Sequence, residues 1–210
     1  MGEIERRVTL AGEGTATVVE KKSEFIGYAC PVRDEQEAEE YIRAIRKKHA
    51  DARHNVYAYM IGNAARCSDD GEPQGTAGVP VLEVIRKSGF TDAVIVVTRY
   101  FGGILLGAGG LVRAYSAAAR AAVDAAGIVT MEQYDEISFA CEYADYPKIE
   151  RDLPRFGALV DGVGFVEQVR VSLAIRADRT DDFFTHLRDL TGGRVVPEKI
   201  GTRYDCAGDF

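Results

Sequence analysis

Tryptophan is absent from this chain of 210 residues, and histidine occurs only three times. Its four cysteines, Cys30, Cys67, Cys141 and Cys206, are widely separated and form no C-x-x-C pair. Zinc-type ligand spacing is therefore missing, a disulfide framework is not expected, and neither a metal nor another cofactor is read from the sequence. No apolar run approaches the roughly 18 residues of a membrane span, so no membrane partner is expected. The opening MGEIERRVTLAGEG lacks the apolar stretch and cleavage site of a secretory signal, and with the scattered cysteines it points to the cytoplasm. Basic charge is also in short supply: 26 Lys and Arg face 33 Asp and Glu, a net charge of -7. That balance excludes a general nucleic-acid coat and leaves room only for a local anion site.

What is present is unevenly placed. Residues 1 to 133 hold 16 basic against 18 acidic side chains, and residues 134 to 210 hold 10 against 15. The span 93 to 123 contains Arg99, Arg113 and Arg120 and no carboxylate. Within it Gly102, Gly103, Gly107, Gly109 and Gly110 account for five of the 22 glycines. Glycine in such density marks positive φ or close approach of the backbone to something else.

The periodicities predict two domains. Residues 15 to 32 read as a strand, a short break near Lys21 to Glu24, and a second strand; residues 35 to 49 read as an amphipathic helix with acids first and bases last. HNVYAYMI (54 to 61) reads as a strand, NAARCSDDGEPQGTAG as a loop, and a helix with Pro80 in its opening turn follows. AVIVVTRY, from Ala93, reads as a buried strand, and a helix from Leu111 ends at Gly127. After the polar MEQYDE the pattern restarts as strand 137 to 143, helix 146 to 156, strands 158 to 162 and 165 to 177, helix 180 to 191 and strand 194 to 199. That order is the βαββαβ of a ferredoxin-like domain. The expected domains are 1–133 and 134–210 within an α+β class.

Two loops can carry chemistry, SDDGEPQGTAG (68 to 78) and the glycine segment 99 to 110, since each follows a strand and precedes a helix and so aims backbone N–H groups at an anion. Neither matches a named phosphate motif. Arg99 and Arg113 would supply charge to a bound anion or nucleic acid, Tyr100 and Phe101 stacking faces, and Gly102, Gly103, Gly107, Gly109 and Gly110 close backbone contact. The plainer alternative is that Gly107, Gly109 and Gly110 serve close packing of helix on sheet. His54, Asp69, Asp70 and Glu72 are the catalytic candidates of a second reading, an enzyme acting on a phosphorylated or nucleotide-like small molecule. Against it, Asp70-Gly71 is a strong turn signal.

KKSEFIGYACPV, ARHNVYAYMIG, RCSDDGEPQGTAGVPVLEVI and TRYFGGILLGAGGLVRAYSAAA together resemble the IMPACT family, also called YigZ-type. The resemblance implies an N-terminal domain with the ribosomal protein S5 domain 2-like fold, followed by a ferredoxin-like domain similar to the C-terminal domain of elongation factor G. It also implies a link to translation or stress, by analogy. Eukaryotic members act on the Gcn2 kinase through Gcn1 but carry an additional RWD domain for which this chain has no room, so the Gcn1 partnership is not transferable. Where many relatives read GGIKLGTGG, this chain has Leu105 and Ala108, which weakens a purely charge-based role for the loop. The expectation is a non-catalytic cytoplasmic regulator whose N-terminal domain binds RNA or a ribosome-associated protein.

Overall fold

The structure, a computed structural model, describes residues 6–206, so the outermost residues of both expected domains lie outside it. The chain divides into two compact units, Arg7–Val129 and a second from Thr130 onward that also takes in Arg6.

In the first unit, after β1 (Arg6–Leu10), β2 (Gly14–Glu20) and β3 (Ser23–Pro31) form the hairpin that the sequence predicts. Its two-residue turn puts both Lys21 and Lys22 at positive φ, 45° and 65°, the pattern of a type I′ hairpin turn. Helix α1 (Glu35–Lys48) starts at Asp34, whose carboxylate accepts from the Glu37 amide at 2.9 Å. β4 (His54–Ile61) is followed by β5 (Ala64–Ser68), which the sequence reads as loop. Ala64 to Arg66 are exposed at a sheet edge, so no alternation betrays this strand; the Gly62-Asn63 turn does. Then come α2 (Gly78–Ser88), β6 (Ala93–Tyr100) and α3 (Ala108–Ala126), the last beginning three residues earlier than the apolar pattern suggests.

The sheet order is β2-β3-β6-β4-β5, with every neighbouring pair antiparallel. β6 is buried on both faces, which explains its unbroken apolar run. Ile95 and Val97 face α2 and α3, whereas Val94 and Val96 face α1. The closest packing of helix on sheet uses glycines of the strands. A Cβ on Gly27 would collide with the Ala118 carbonyl oxygen, and one on Gly14 with the backbone at Ala122 and Ala126, so the alanine stripe of α3 rests on bare strand.

The second unit begins inside β7 (Ile128–Cys141), which runs unbroken through the polar MEQYDE; residue 133 is thus mid-strand, and the division falls at Val129/Thr130. The acids of that stretch are tolerated in a strand because each is paired: Glu132 with Arg6 and Arg176, Asp135 with Lys199, Glu136 with Arg203. α4 (Tyr146–Asp152) gives way at Pro154 to a 3-10 turn, Leu153–Phe156. β8 (Leu159–Phe165), β9 (Val169–Arg176), a second 3-10 turn (Ala177–Arg179), α5 (Thr180–Thr191) and β10 (Glu198–Cys206) complete it. β7 lies between β10 and β9, with β8 beyond β9, all antiparallel. With α4 and α5 packed on one core, this is the ferredoxin-like arrangement, and the two-domain α+β class stands.

Candidate functional site

Strand parity builds the site. Arg99 lies opposite Phe25 of β3 and opposite His54 of β4, so the three form one cross-strand row at the end of the sheet. Being two residues beyond Val97, Arg99 is on the face covered by α2 and α3. The loop before α2 brings Glu72 to it: Arg99 Nη1 donates to Glu72 Oε1 at 2.5 Å, and Tyr115 of α3 donates its hydroxyl to the same oxygen at 2.7 Å. His54 Nε2 lies 3.8 Å from it. The Arg99 and Glu72 side chains are only 7% and 4% exposed. The guanidinium sits 5.4 Å from the Phe25 ring centroid and 5.5 Å from that of Phe101. Burial first, and then the hydrogen bond to the Glu72 carboxylate, hold the Tyr115 hydroxyl far above its ordinary pKa.

The carboxylate-free span of the sequence therefore meets a carboxylate from another loop. Arg99 is neutralised inside the protein, and its visible effect is on Phe101, which lies over it and remains 42% exposed. Tyr100 points to the opposite face, as alternation requires. There His49 and Tyr100 meet at 2.9 Å, and Tyr100 donates to Asp51 at 3.0 Å. Because the Tyr100 proton goes to Asp51, its oxygen accepts from His49 Nδ1–H, and His49 Nε2 accepts from the Tyr28 hydroxyl at 2.6 Å. Burial, then the neighbouring Lys48, lower the His49 pKa and favour this neutral tautomer. Tyr100 and Phe101 are thus not a pair of stacking faces.

The other acidic candidates shape the loop. Asp69 accepts from the backbone N–H of Gly75 (2.8 Å), Ala77 (3.0 Å) and Gly78 (2.8 Å), closing the loop and filling the N-terminus of α2. Burial alone would raise its pKa, but these three donors prevail and hold it below the usual value. Asp70, at positive φ, accepts from Arg46 and from the Asn55 amide, both at 2.7 Å, and its carbonyl meets His54 Nδ1 at 2.8 Å. The structure thus gathers His54, Glu72 and Arg99, sends Asp69 and Asp70 to backbone and to Arg46, and adds Tyr115 and Phe25. Tyr115 belongs to the inward apolar stripe of α3 and Phe25 to the second strand of the opening hairpin, and neither carries a sequence signal that separates a site residue from core. Among the described residues no group of three or more His, Cys, Asp or Glu is arranged to hold a metal. Burial and then Asp69 raise the pKa of the Cys67 thiol, which is unsuited to act as a thiolate.

The glycine segment forms the rim. A Cβ on Gly102 would run into the backbone at Lys22, so that glycine lets the segment lie on the β2–β3 turn, where its N–H donates to Ser23 Oγ at 3.1 Å. Gly103 and Gly107 have φ of 87° and 71°. A Cβ on Gly109 would meet only Arg113 Nη1, at 3.6 Å, whereas one on Gly110 would collide with Leu106 Cβ at 2.9 Å, so Gly110 makes room for Leu106 rather than for the sheet. The Arg113 guanidinium accordingly lies over the first turn of α3. That turn holds no acidic residue, and its cap makes no side-chain hydrogen bond. Where α2 has the Asp69 carboxylate at its N-terminus, α3 has bare backbone beneath an arginine.

The comparisons agree with this architecture. Residues 21–123 match the family model described as the Impact N-terminal domain, and residues 139–194 match a domain of unknown function, DUF1949. IMPACT family member YvyE of Bacillus subtilis is 39% identical over 89% of this chain and 87% of its own length. IMPACT family member YigZ of Escherichia coli is 34% identical over 85% and 91%, respectively. Protein IMPACT-A of Xenopus tropicalis is 34% identical, but over 43% of this chain and 30% of its own. A crystal structure described as that of a hypothetical protein superposes with a TM-score of 0.63 at 31% identity, covering 94% of this chain and 98% of that one.

Proposed function

The chain belongs to the IMPACT family, and from that premise we propose that it is a non-catalytic regulator linked to translation that binds RNA through the glycine rim of its first unit. The observation that carries this reading is the uncapped N-terminus of α3 with the Arg113 guanidinium above it. Free N–H groups and a fixed positive charge converge there, in the manner that suits a phosphodiester oxygen. Phe101, exposed and held over Arg99, offers a base a stacking face. Lys21 and Lys22 project from the turn on which Gly102 rests, adding charge at the rim.

The enzymatic alternative finds its four candidates engaged: Glu72 by Arg99 and Tyr115, Asp69 by three amides, Asp70 by Arg46 and Asn55, and His54 by the Asp70 carbonyl. Among the described residues no helix is long and apolar enough to cross a membrane. A cytoplasmic setting is part of the proposal.

The test is fluorescence anisotropy with a short single-stranded RNA over a salt series, comparing the wild type with Arg113→Ala and Lys22→Gln. Each variant should bind more weakly and lower the salt slope by about 0.7 for a lost single-strand phosphate contact. Arg99 is unsuitable for this test, because removing it leaves Glu72 buried and unpaired. Unchanged affinity and slope in both variants would reject the rim as the RNA site.

A further inference from the structure

The second unit carries more acid than base, yet a cleft of about 230 Å³ in it is lined by three arginines, Arg155, Arg176 and Arg179, beside Glu132, Tyr134 and Phe156. The three differ in kind. Arg176, opposite Tyr134 across the β7–β9 ladder, makes two hydrogen bonds to Asp178, at 2.7 and 3.0 Å, and reaches Glu132 at 3.4 Å. Glu132 also accepts from Arg6 at 2.9 Å. Two cations and two carboxylates close this group with no charge left over.

Arg155 and Arg179 have no such compensation. Among the described residues neither makes an ion pair or a hydrogen bond, and what holds each is the same ring: their guanidinium carbons lie 5.8 and 5.9 Å from the Phe156 centroid. Phe156 is 6% exposed and wedged edge-on against Phe183, with ring centroids 5.3 Å apart, so it is a fixed platform. A guanidinium held by an aromatic ring keeps its N–H donors free, and it cannot shed its proton at any ordinary pH. The 3-10 turn ending at Gly157, with φ of 61°, fixes Arg155; the second 3-10 turn, leading into α5, fixes Arg179.

Both guanidinium groups line the cleft around one ring, and an anion in it is met by two cations that no carboxylate pairs. A phosphoryl group suits the arrangement, having up to two charges and three acceptor oxygens against two planar forks of donors. We propose that this cleft binds a small phosphate monoester, with the phosphoryl group between Arg155 and Arg179 and the organic part against the wall formed by Tyr134 and Pro154. The volume holds a compact ester. An extended RNA backbone would have to continue over a unit in which residues 134 to 210 carry 10 basic against 15 acidic side chains, which disfavours it. The site shares no residue with the glycine rim and stands or falls independently of the RNA proposal.

The experiment uses the full chain and an NMR titration that observes arginine Nε–H resonances, with ribose 5-phosphate and inorganic phosphate as separate probes. The expected result is that ribose 5-phosphate shifts the Arg155 and Arg179 resonances of the wild type, and that inorganic phosphate binds the same place more weakly. Arg155→Gln and Arg179→Gln should each weaken ester binding by about tenfold, the worth of a charge-assisted hydrogen bond. Arg203→Gln, which breaks an ion pair with Asp161 elsewhere in the unit, should leave it unchanged. No shift of either resonance at about 10 mM ester, weaker than a millimolar-range site allows, would overturn the proposal. So would equal affinity for inorganic phosphate, which assigns the cleft to the free ion, or a short RNA that shifts both resonances where the ester does not. The wild-type shifts decide the matter even if a variant folds poorly.

Discussion

Glu72→Gln tests whether the buried cluster is an ion pair that the fold depends on. The change keeps shape and volume and removes one charge, leaving the Arg99 guanidinium, 7% exposed, with only ring faces and an amide oxygen around it. Arg99 Nε already lacks a hydrogen-bond partner, so little remains to absorb the loss. Breaking a buried pair by removing one partner costs about 3–5 kcal/mol. The amide oxygen still accepts from Tyr115 or Arg99, which returns about 1 kcal/mol. The net expectation is about 3 kcal/mol, or a fall of about 1.5 M in the urea midpoint for an m-value near 2 kcal/mol/M. Because the chain holds two units and no tryptophan, unfolding of the first is best followed through the amide signals of Val96 and Val97 at the centre of β6. The triple variant Glu72→Leu, Arg99→Met, Tyr115→Phe replaces all three polar groups by apolar ones and should regain most of the loss. An unfolding free energy for Glu72→Gln within about 0.5 kcal/mol of wild type would refute the reasoning, since that is the scatter of ordinary surface substitutions.

Asp69→Asn should cost about 1 kcal/mol at pH 7, because an amide keeps one acceptor oxygen where the carboxylate serves three N–H donors on two. The folded-state pKa of Asp69 lies below its ordinary value, so its contribution is present above about pH 4 and is lost as pH falls through the folded value; denaturation midpoints of wild type and variant should converge below that pH. Gly27→Ala, driven into the Ala118 carbonyl, should destabilise by about 1–3 kcal/mol in thermal or urea unfolding. Gly109→Ala faces only the end of the Arg113 side chain and should be neutral or stabilising by up to about 1 kcal/mol through helix propensity, while weakening RNA in the anisotropy assay. A strongly destabilising Gly109→Ala would return that glycine to a packing role.

Much of this fold was legible because local signals agree with tertiary ones. The α1 helix shows its apolar stripe and its charge gradient, and the βαββαβ order of the second unit survives errors of several residues at strand ends. What escaped has identifiable causes. β5 pairs along its length with β4 but buries little, so it sends no hydrophobic signal. The acids of β7 resemble a linker until Arg6, Arg176, Lys199 and Arg203, all far away in sequence, arrive to pair with them.

The site divides in the same way, and the division bears on how a glycine-rich segment is read. That Arg99 and Tyr100 must face opposite sides follows from strand parity alone, applied to the buried AVIVVTRY; what parity cannot give is the identity of the group that meets Arg99. Glu72 lies 27 positions earlier, in a loop whose course is fixed by Asp69 gathering three amides and Asp70 reaching Arg46. The acidic loop and the basic strand end therefore neutralise each other. Free positive charge at this end of the sheet passes to Arg113 and to the Lys21-Lys22 turn, residues that composition marks no more strongly than Arg99. The glycines divide similarly. Close helix packing, the plain reading of Gly107, Gly109 and Gly110, is done instead by Gly14 and Gly27 in the strands. Gly102 seats the rim on the hairpin turn, Gly103 and Gly107 supply positive φ, Gly110 makes room for Leu106, and Gly109 leaves the start of α3 open. With Asp69 already occupying the N-terminus of α2, the α3 turn beside Arg113 is the one to which the RNA proposal assigns the phosphate.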